Sequence, residues 1–281
     1  MSARKRGRRV AARVARLLFL FSLTAAAALA AGADAGAGGS ELSPRALLER
    51  AAAAGEAGRW EEAERDLREV VSRGIHDPEA WYDLGTVLAH EGKYGEAVLA
   101  LRRALRLDPR HEDARANLEW VRARLADASE GTDGTRDLLA RWLALLPERG
   151  ALVAAIALEW IGAVLLLFGL FRARRRAAAL RRAGIAALAL AALLALPPLG
   201  LAWLRATDRS AVVLAERAEA RSGPGEDNPV LFTVHEGLEV ELGRARGGWV
   251  YVRVPGGPAG WLPRSALAPV RPVSPPHRDD A

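Results

Sequence analysis

Two apolar runs, Gly150 to Phe171 and Ala183 to Leu204, flank a short stretch with Arg172, Arg174, Arg175, Arg176, Arg181 and Arg182 and no acid. At ~1.5 Å of rise per residue, each run is long enough to cross a hydrocarbon core of ~30 Å. The spacing predicts a two-helix transmembrane hairpin, with crossings at 150–171 and 183–204 joined by the arginine-rich segment 172–182. Short basic loops stay on the cytoplasmic side, so the chain before and after the hairpin lies on the other side. A hydrophobic content of 51% against 26% charged residues agrees with membrane segments.

The amino terminus makes the same topological statement independently. Arg4, Lys5, Arg6, Arg8, Arg9, Arg13 and Arg16 precede an apolar stretch from Leu17 to Leu29, and Ala28-Leu29-Ala30 fits a small-x-small cleavage pattern. Residues 1–33 read as a signal peptide or an uncleaved N-terminal anchor, and either one exports the next domain of the chain. Arg8-Arg9 is a weak twin-arginine candidate. Residues 34–42 are a linker rich in Ala and Gly. The formal net charge of +6 comes from these two flanking clusters, so it reports membrane topology rather than nucleic-acid binding. With no cysteine, disulfides, thiol catalysis and cysteine-ligated metals are excluded.

Residues 43–126 carry an internal repeat. Gly58-Arg59-Trp60-Glu61-Glu62-Ala63 returns as Gly92-Lys93-Tyr94-Gly95-Glu96-Ala97, and Pro44 returns as Pro78, at an offset of 34 residues. That is the tetratricopeptide (TPR) period of paired antiparallel helices. Ser43 and Asp77 are N-caps, each followed by a proline at the first helical position, where its missing N–H does no harm. The second repeat, 78–111, resembles the TPR signature through Trp81, Leu84, Gly85, Ala97, Leu101, Ala104 and Pro109. The first, 44–77, keeps Ala51, Ala63 and Leu67 but lacks the tryptophan and the final proline. A third helix, 112–125, has no partner helix in the sequence and is expected to cap the stack. The acids of this region read as solvated helix faces and caps.

A polar linker, 127–135, leads to residues 136–146, where Leu138, Leu139, Trp142, Leu143, Leu145 and Leu146 accompany Arg136 and Arg141. This predicts an amphipathic helix lying at a membrane interface; packing on the repeat cap is the alternative. After the second crossing, 210–269 holds short apolar or alternating runs at Val212–Leu214, Val230–Val234, Leu238–Leu242 and Trp249–Val254, separated by Gly, Pro and Asn, as in a small β-barrel. The end of the chain, 270–281, is proline-rich and charged and is expected to be a disordered tail. The fold class is therefore a multidomain membrane protein: an all-α TPR repeat, a two-helix transmembrane hairpin and a small all-β barrel.

Within the β region, Arg221-Ser222-Gly223-Pro224-Gly225, Gly237, Val240, Gly248-Trp249-Val250-Tyr251-Val252-Arg253 and Gly260-Trp261-Leu262 resemble a bacterial SH3 (SH3b) domain. The whole order of signal, short TPR, interfacial helix, two crossings and SH3b resembles the BatE family of Bacteroides-aerotolerance operon proteins. Asp113-Ala114-Arg115-Ala116-Asn117-Leu118-Glu119 and Arg141-Trp142 add to that likeness. It implies a stress-tolerance membrane complex with von Willebrand A-domain proteins and a MoxR-type AAA+ ATPase as partners.

The TPR resemblance places Glu79, Tyr82, Thr86 and His90 of repeat two, Arg45 and Leu48 of repeat one, and Asp113 and Trp120 of the cap along a partner-binding groove, with Tyr82 and Trp120 as aromatic anchors. Trp120 packing under the linker or on the membrane is the competing role. On the SH3b surface, Trp249, Trp261 and Tyr251 are candidates for a peptide or peptidoglycan ligand, although such tryptophans more often serve the core. Glu159, near the middle of the first crossing, is a candidate intramembrane contact to another subunit, since a carboxylate there is costly and neither crossing offers a cation. The five histidines, His76, His90, His111, His235 and His277, show no metal spacing, and no Walker A loop, nucleophile elbow or HExxH motif occurs. The expectation is a non-enzymatic scaffold with no metal and no cofactor, or alternatively a cell-wall binding module that localises an envelope enzyme.

Overall fold

A computed structural model describes residues 42–75, 77–127, 135–171 and 174–271. The signal segment, most of both linkers, the start of the arginine-rich segment and nearly all of the tail lie outside the described residues. The described chain divides into two compact units, one holding residues 142–203 and the other holding 42–141 together with 204–271.

In the larger unit, helices α1 (Pro44–Glu56), α2 (Trp60–Ser72), α3 (Pro78–His90), α4 (Tyr94–Leu107) and α5 (Glu112–Arg122) form the repeat. Their starts follow from local chemistry. The Ser43 hydroxyl accepts the Ala46 N–H at 3.2 Å, and an Asp77 carboxylate oxygen accepts the Glu79 N–H at 3.1 Å. His111 caps α5 through Nδ1, which accepts the Ala114 N–H at 3.3 Å. Gly58, Gly74 and Gly92 end the helices with φ of 71°, 76° and 78°, which a side chain would strain. Leu67, Leu84, Leu88, Leu101 and Leu118 fill the core.

The pairing of α3 and α4 depends on Gly85. A Cβ there would sit 2.6 Å from Leu101 Cγ, so only glycine allows this approach. Asp66 departs furthest from the expected solvated role. Asp66 is 3% exposed and accepts two hydrogen bonds from the Arg50 guanidinium, which joins α1 to α2. Its burial is compensated because the fork geometry of arginine matches both carboxylate oxygens.

The β domain of the same unit has seven strands: β1 (Ser210–Val213), β2 (Arg217–Arg221), β3 (Val230–His235), β4 (Glu239–Arg246), β5 (Trp249–Arg253), β6 (Ala259–Pro263) and β7 (Leu267–Pro269). They form one antiparallel sheet in the order β3-β2-β6-β5-β4-β1-β7. Strands β2, β6 and β7 are additional to the four runs read from the sequence. Strand β2 alternates buried Ala218 and Ala220 with outward Arg217 and Glu219, a period-two pattern built from residues of low β propensity. Strand β1 is buried on both faces. Ala211 and Val213 join the sheet's own core, whereas Val212 joins the apolar cluster of the helices.

Helix α6 spans Thr135–Leu143, a little shorter than the expected 136–146, and buries no residue. Leu138, Leu139 and Trp142 are 53%, 42% and 65% exposed, whereas Leu143 at its end lies against Gly200.

In the smaller unit lie α7 (Glu148–Phe171) and most of α8 (Arg174–Ala206), both long and apolar enough to cross a membrane. Helix α8 begins within the arginine-rich segment, which is thus largely helix rather than loop; arginine and alanine are strong helix formers. Pro197 and Pro198 lie inside α8. The two helices pack antiparallel through small residues. A Cβ on Gly162 would lie 2.9 Å from the Gly184 carbonyl oxygen, and Gly169 faces Ala177 and Arg181.

Candidate functional site

Helices α1 and α3, the first of each pair, and the unpaired α5 carry the groove positions. Three expected residues of α3 are drawn together with two from the next turn of the array. The Thr86 hydroxyl donates to the Tyr82 carbonyl at 3.0 Å and accepts from the Asn117 side-chain amide at 2.9 Å. The Tyr82 ring lies 4.8 Å from the His111 ring, whose Nε2 is 3.5 Å from a Glu79 carboxylate oxygen. Asp83, at the edge of this cluster, has its carboxyl raised above the ordinary range by desolvation and then by the nearby Glu79 and Asp77 carboxylates. The result is a semi-rigid aromatic and amide surface rimmed by acids. It offers stacking, hydrogen bonding and attraction for cationic groups, and it holds no nucleophile paired with a base.

Sequence reasoning missed His111 and Asn117. The 34-residue offset carries the expected groove positions Glu79, Tyr82, Thr86 and His90 onto Asp113, Ala116, Trp120 and Arg124, whereas Asn117 corresponds to Asp83, so the repeat arithmetic did not point to it. The remaining expected groove residues stand apart. His90 stacks on Trp60 with centroids 4.3 Å apart and the rings parallel. Arg45 pairs with Glu49 on its own helix at 2.9 Å. Trp120 is 47% exposed beneath the Arg124 guanidinium, 3.3 Å from the ring centroid.

In the β domain, Trp261 is 5% exposed and meets Tyr251 edge-on at 5.6 Å, which makes it part of the packing. Trp249 instead lines an open cleft of about 320 Å³ with Arg217, Glu219, Arg221, Glu226 and Ser265. Arg221 holds the turn after β2, donating to the Glu226 and Asn228 carbonyls at 2.6 and 2.8 Å and to Glu219 at 2.7 Å. The arginine of the Arg221–Gly225 motif is therefore committed to loop geometry.

These two regions are similar to known modules. Residues 48–112 match the tetratricopeptide repeat. Residues 215–269 match the bacterial SH3 domain. No curated protein and no solved structure matches the chain.

A polar cluster between the two modules was not anticipated. Glu239, at the start of β4, accepts hydrogen bonds from both Arg102 of α4 and Arg122 of α5. Arg102 also donates to Asp137 of α6 at 2.7 Å. Burial works against the Arg102 charge, yet the Glu239 and Asp137 carboxylates outweigh it and hold its pKa above the ordinary guanidinium value. In the smaller unit, Glu159 is 8% exposed on the face it shares with Ala155 and Gly162, and its Oε1 has no hydrogen-bond partner among the described residues. No group of three or more potential metal ligands occurs among the described residues.

Proposed function

We propose that this chain is a non-catalytic scaffold of the bacterial inner membrane, presenting its tetratricopeptide-repeat groove and SH3-like domain to partner proteins in the periplasm. The observation that carries the reading is the Tyr82–His111–Asn117–Thr86 cluster, an ordered polar and aromatic surface on the groove helices. Such surfaces recognise extended or helical segments through aromatic anchors and amide hydrogen bonds. Two helices of suitable length and hydropathy support anchoring. The basic segment between them supports an orientation with both modules outside the cytoplasm. The exposed Leu138, Leu139 and Trp142 of α6 fit a helix resting on the bilayer surface. The likeness to the BatE family makes von Willebrand A-domain proteins and a MoxR-type ATPase the first partners to seek, in a stress-tolerance complex.

A photo-crosslinking residue at position 82, in intact membranes, tests this reading. A discrete protein adduct that is lost in Asn117→Ala supports it. No adduct, or reporter enzymes fused after residue 127 or at the carboxyl end that work only in the cytosol, would refute it. The Trp249 cleft favours a second reading, in which the SH3-like domain holds peptidoglycan. Retention of the solubilised full chain on purified sacculi, abolished by Trp249→Ala, would select that reading.

A further inference from the structure

A solenoid of helical pairs must close its last apolar face, and among the described residues no second helix closes that of the last helix, α5. Val121 and Leu118 of α5 are nevertheless 0% and 1% exposed. The cover comes from the β domain. Val212 of β1 and Val270 just after β7 are buried in the same apolar cluster as Val98, Leu101, Leu118 and Val121, with Leu214 and Ala268 packed against it. The alternation of β1 makes this possible, because successive side chains leave a strand on opposite faces. Ala211 and Val213 serve the sheet, and Val212 between them serves the helices.

Polar contacts surround this apolar patch. Glu239 receives Arg102 and Arg122. The Arg103 guanidinium donates to the carbonyls of Pro269 and Val270 at 3.0 and 3.3 Å, and it lies 4.8 Å from the centroid of the Trp81 ring. The Gly95 N–H donates to a Glu236 carboxylate oxygen at 3.2 Å. Asp127 accepts the His235 N–H at 2.7 Å. Leu125 packs against Gly237, whose φ of 80° and missing side chain let the β3–β4 turn approach the end of α5.

We propose that the SH3-like domain is the terminal cap of the repeat array, standing where the second helix of a third repeat would pack, and that α5 is not held without it. The partner of its β1–β4–β7 side is therefore this chain's own repeat, while the side around Trp249 stays open to a ligand. The proposal is independent of what the groove binds.

Hydrogen exchange on the detergent-solubilised full chain tests the proposal. Two variants break the docking from the sheet side without touching the sheet's own core: Val212→Asp, which buries a charge in the helical cluster, and Glu239→Lys, which faces two arginines with a third cation. The expected result is that amides of α5 exchange faster by on the order of tenfold or more, while β5 and β6 keep their protection. If Val212→Asp disturbs the sheet, protection at β5 and β6 reports it, and Glu239→Lys decides. Protection of α5 equal to the unmodified chain, in a variant that retains β5 and β6, overturns the proposal. A partner adduct at position 82 could fail to form with the cap intact, so the two readings fail separately.

Discussion

Replacing Glu239 by alanine isolates the energetics of the junction between the two modules. The Glu239 side chain is 12% exposed, and those of Arg102 and Arg122 are 17% and 10% exposed. Removing one partner of a buried pair costs about 3–5 kcal/mol, mostly because the other charge is left uncompensated. The two arginines do not suffer equally. Arg102 keeps Asp137 at 2.7 Å. Arg122 has no other ion pair among those described, so the stranded charge is chiefly its own. An arginine stem can swing its head toward solvent, which softens the loss. The expected destabilisation is about 2–3 kcal/mol. Glu239→Gln keeps an acceptor and loses only the charge, so about 1 kcal/mol is expected. The assay is reversible denaturation of the solubilised chain followed by tryptophan fluorescence. A diagnostic variant combines Glu239→Ala with Arg122→Met, which removes the stranded charge and retains much of the volume. It should recover more than half of the loss. A change below about 0.5 kcal/mol for Glu239→Ala, or no recovery in the double variant, would refute the account of a desolvated charge cluster.

Three further outcomes are expected. Gly85→Ala forces a Cβ to 2.6 Å from Leu101 Cγ and should cost about 1–3 kcal/mol, read as a lower thermal midpoint of the repeat; an unchanged midpoint would mean α3 and α4 can separate freely. Asp83 has a raised folded pKa, so the folded state holds its proton more tightly than the unfolded chain, and stability falls as pH rises from the ordinary carboxylate range through that raised value. Asp83→Asn should therefore stabilise at neutral pH by roughly 0.5 kcal/mol, a small effect because the residue is largely open to solvent, and the gain should vanish in acid. Gly162→Leu should part α7 from α8, since the Gly184 carbonyl leaves no room; with no native cysteine, a disulfide between cysteines introduced at 155 and 191 reports it, and undiminished crosslinking would contradict the small-residue seam.

The helical repeat was legible residue by residue because its determinants are local. A proline after Ser43 and again after Asp77, a glycine at each turn and a 34-residue period specify helix starts, stops and pairing without reference to distant parts of the chain. The two apolar helices were legible for the same reason, since length and hydropathy are properties of a segment. Strands β2 and β7 were not. One is made of alanine, arginine and glutamate, and the other is three residues long, so each becomes a strand only by pairing with β3 or β1. In the groove, Glu79, Tyr82 and Thr86 could be placed from the repeat, but His111 and Asn117 entered through contacts across successive turns of the array.

What the amino-acid order decided alone is the list of modules, their sequence and the faces each must bury, because periodicity and capping act within a few residues of each other. What tertiary structure decided is where those faces go. Val212 looks like any strand residue, Glu239 like a solvated acid, and Arg102 and Arg122 like exposed helix charges. Folding brings residues more than a hundred positions apart into one desolvated cluster, and the physical reason is long-range: an unpaired last helix and a strand with two apolar faces are each incomplete until they meet.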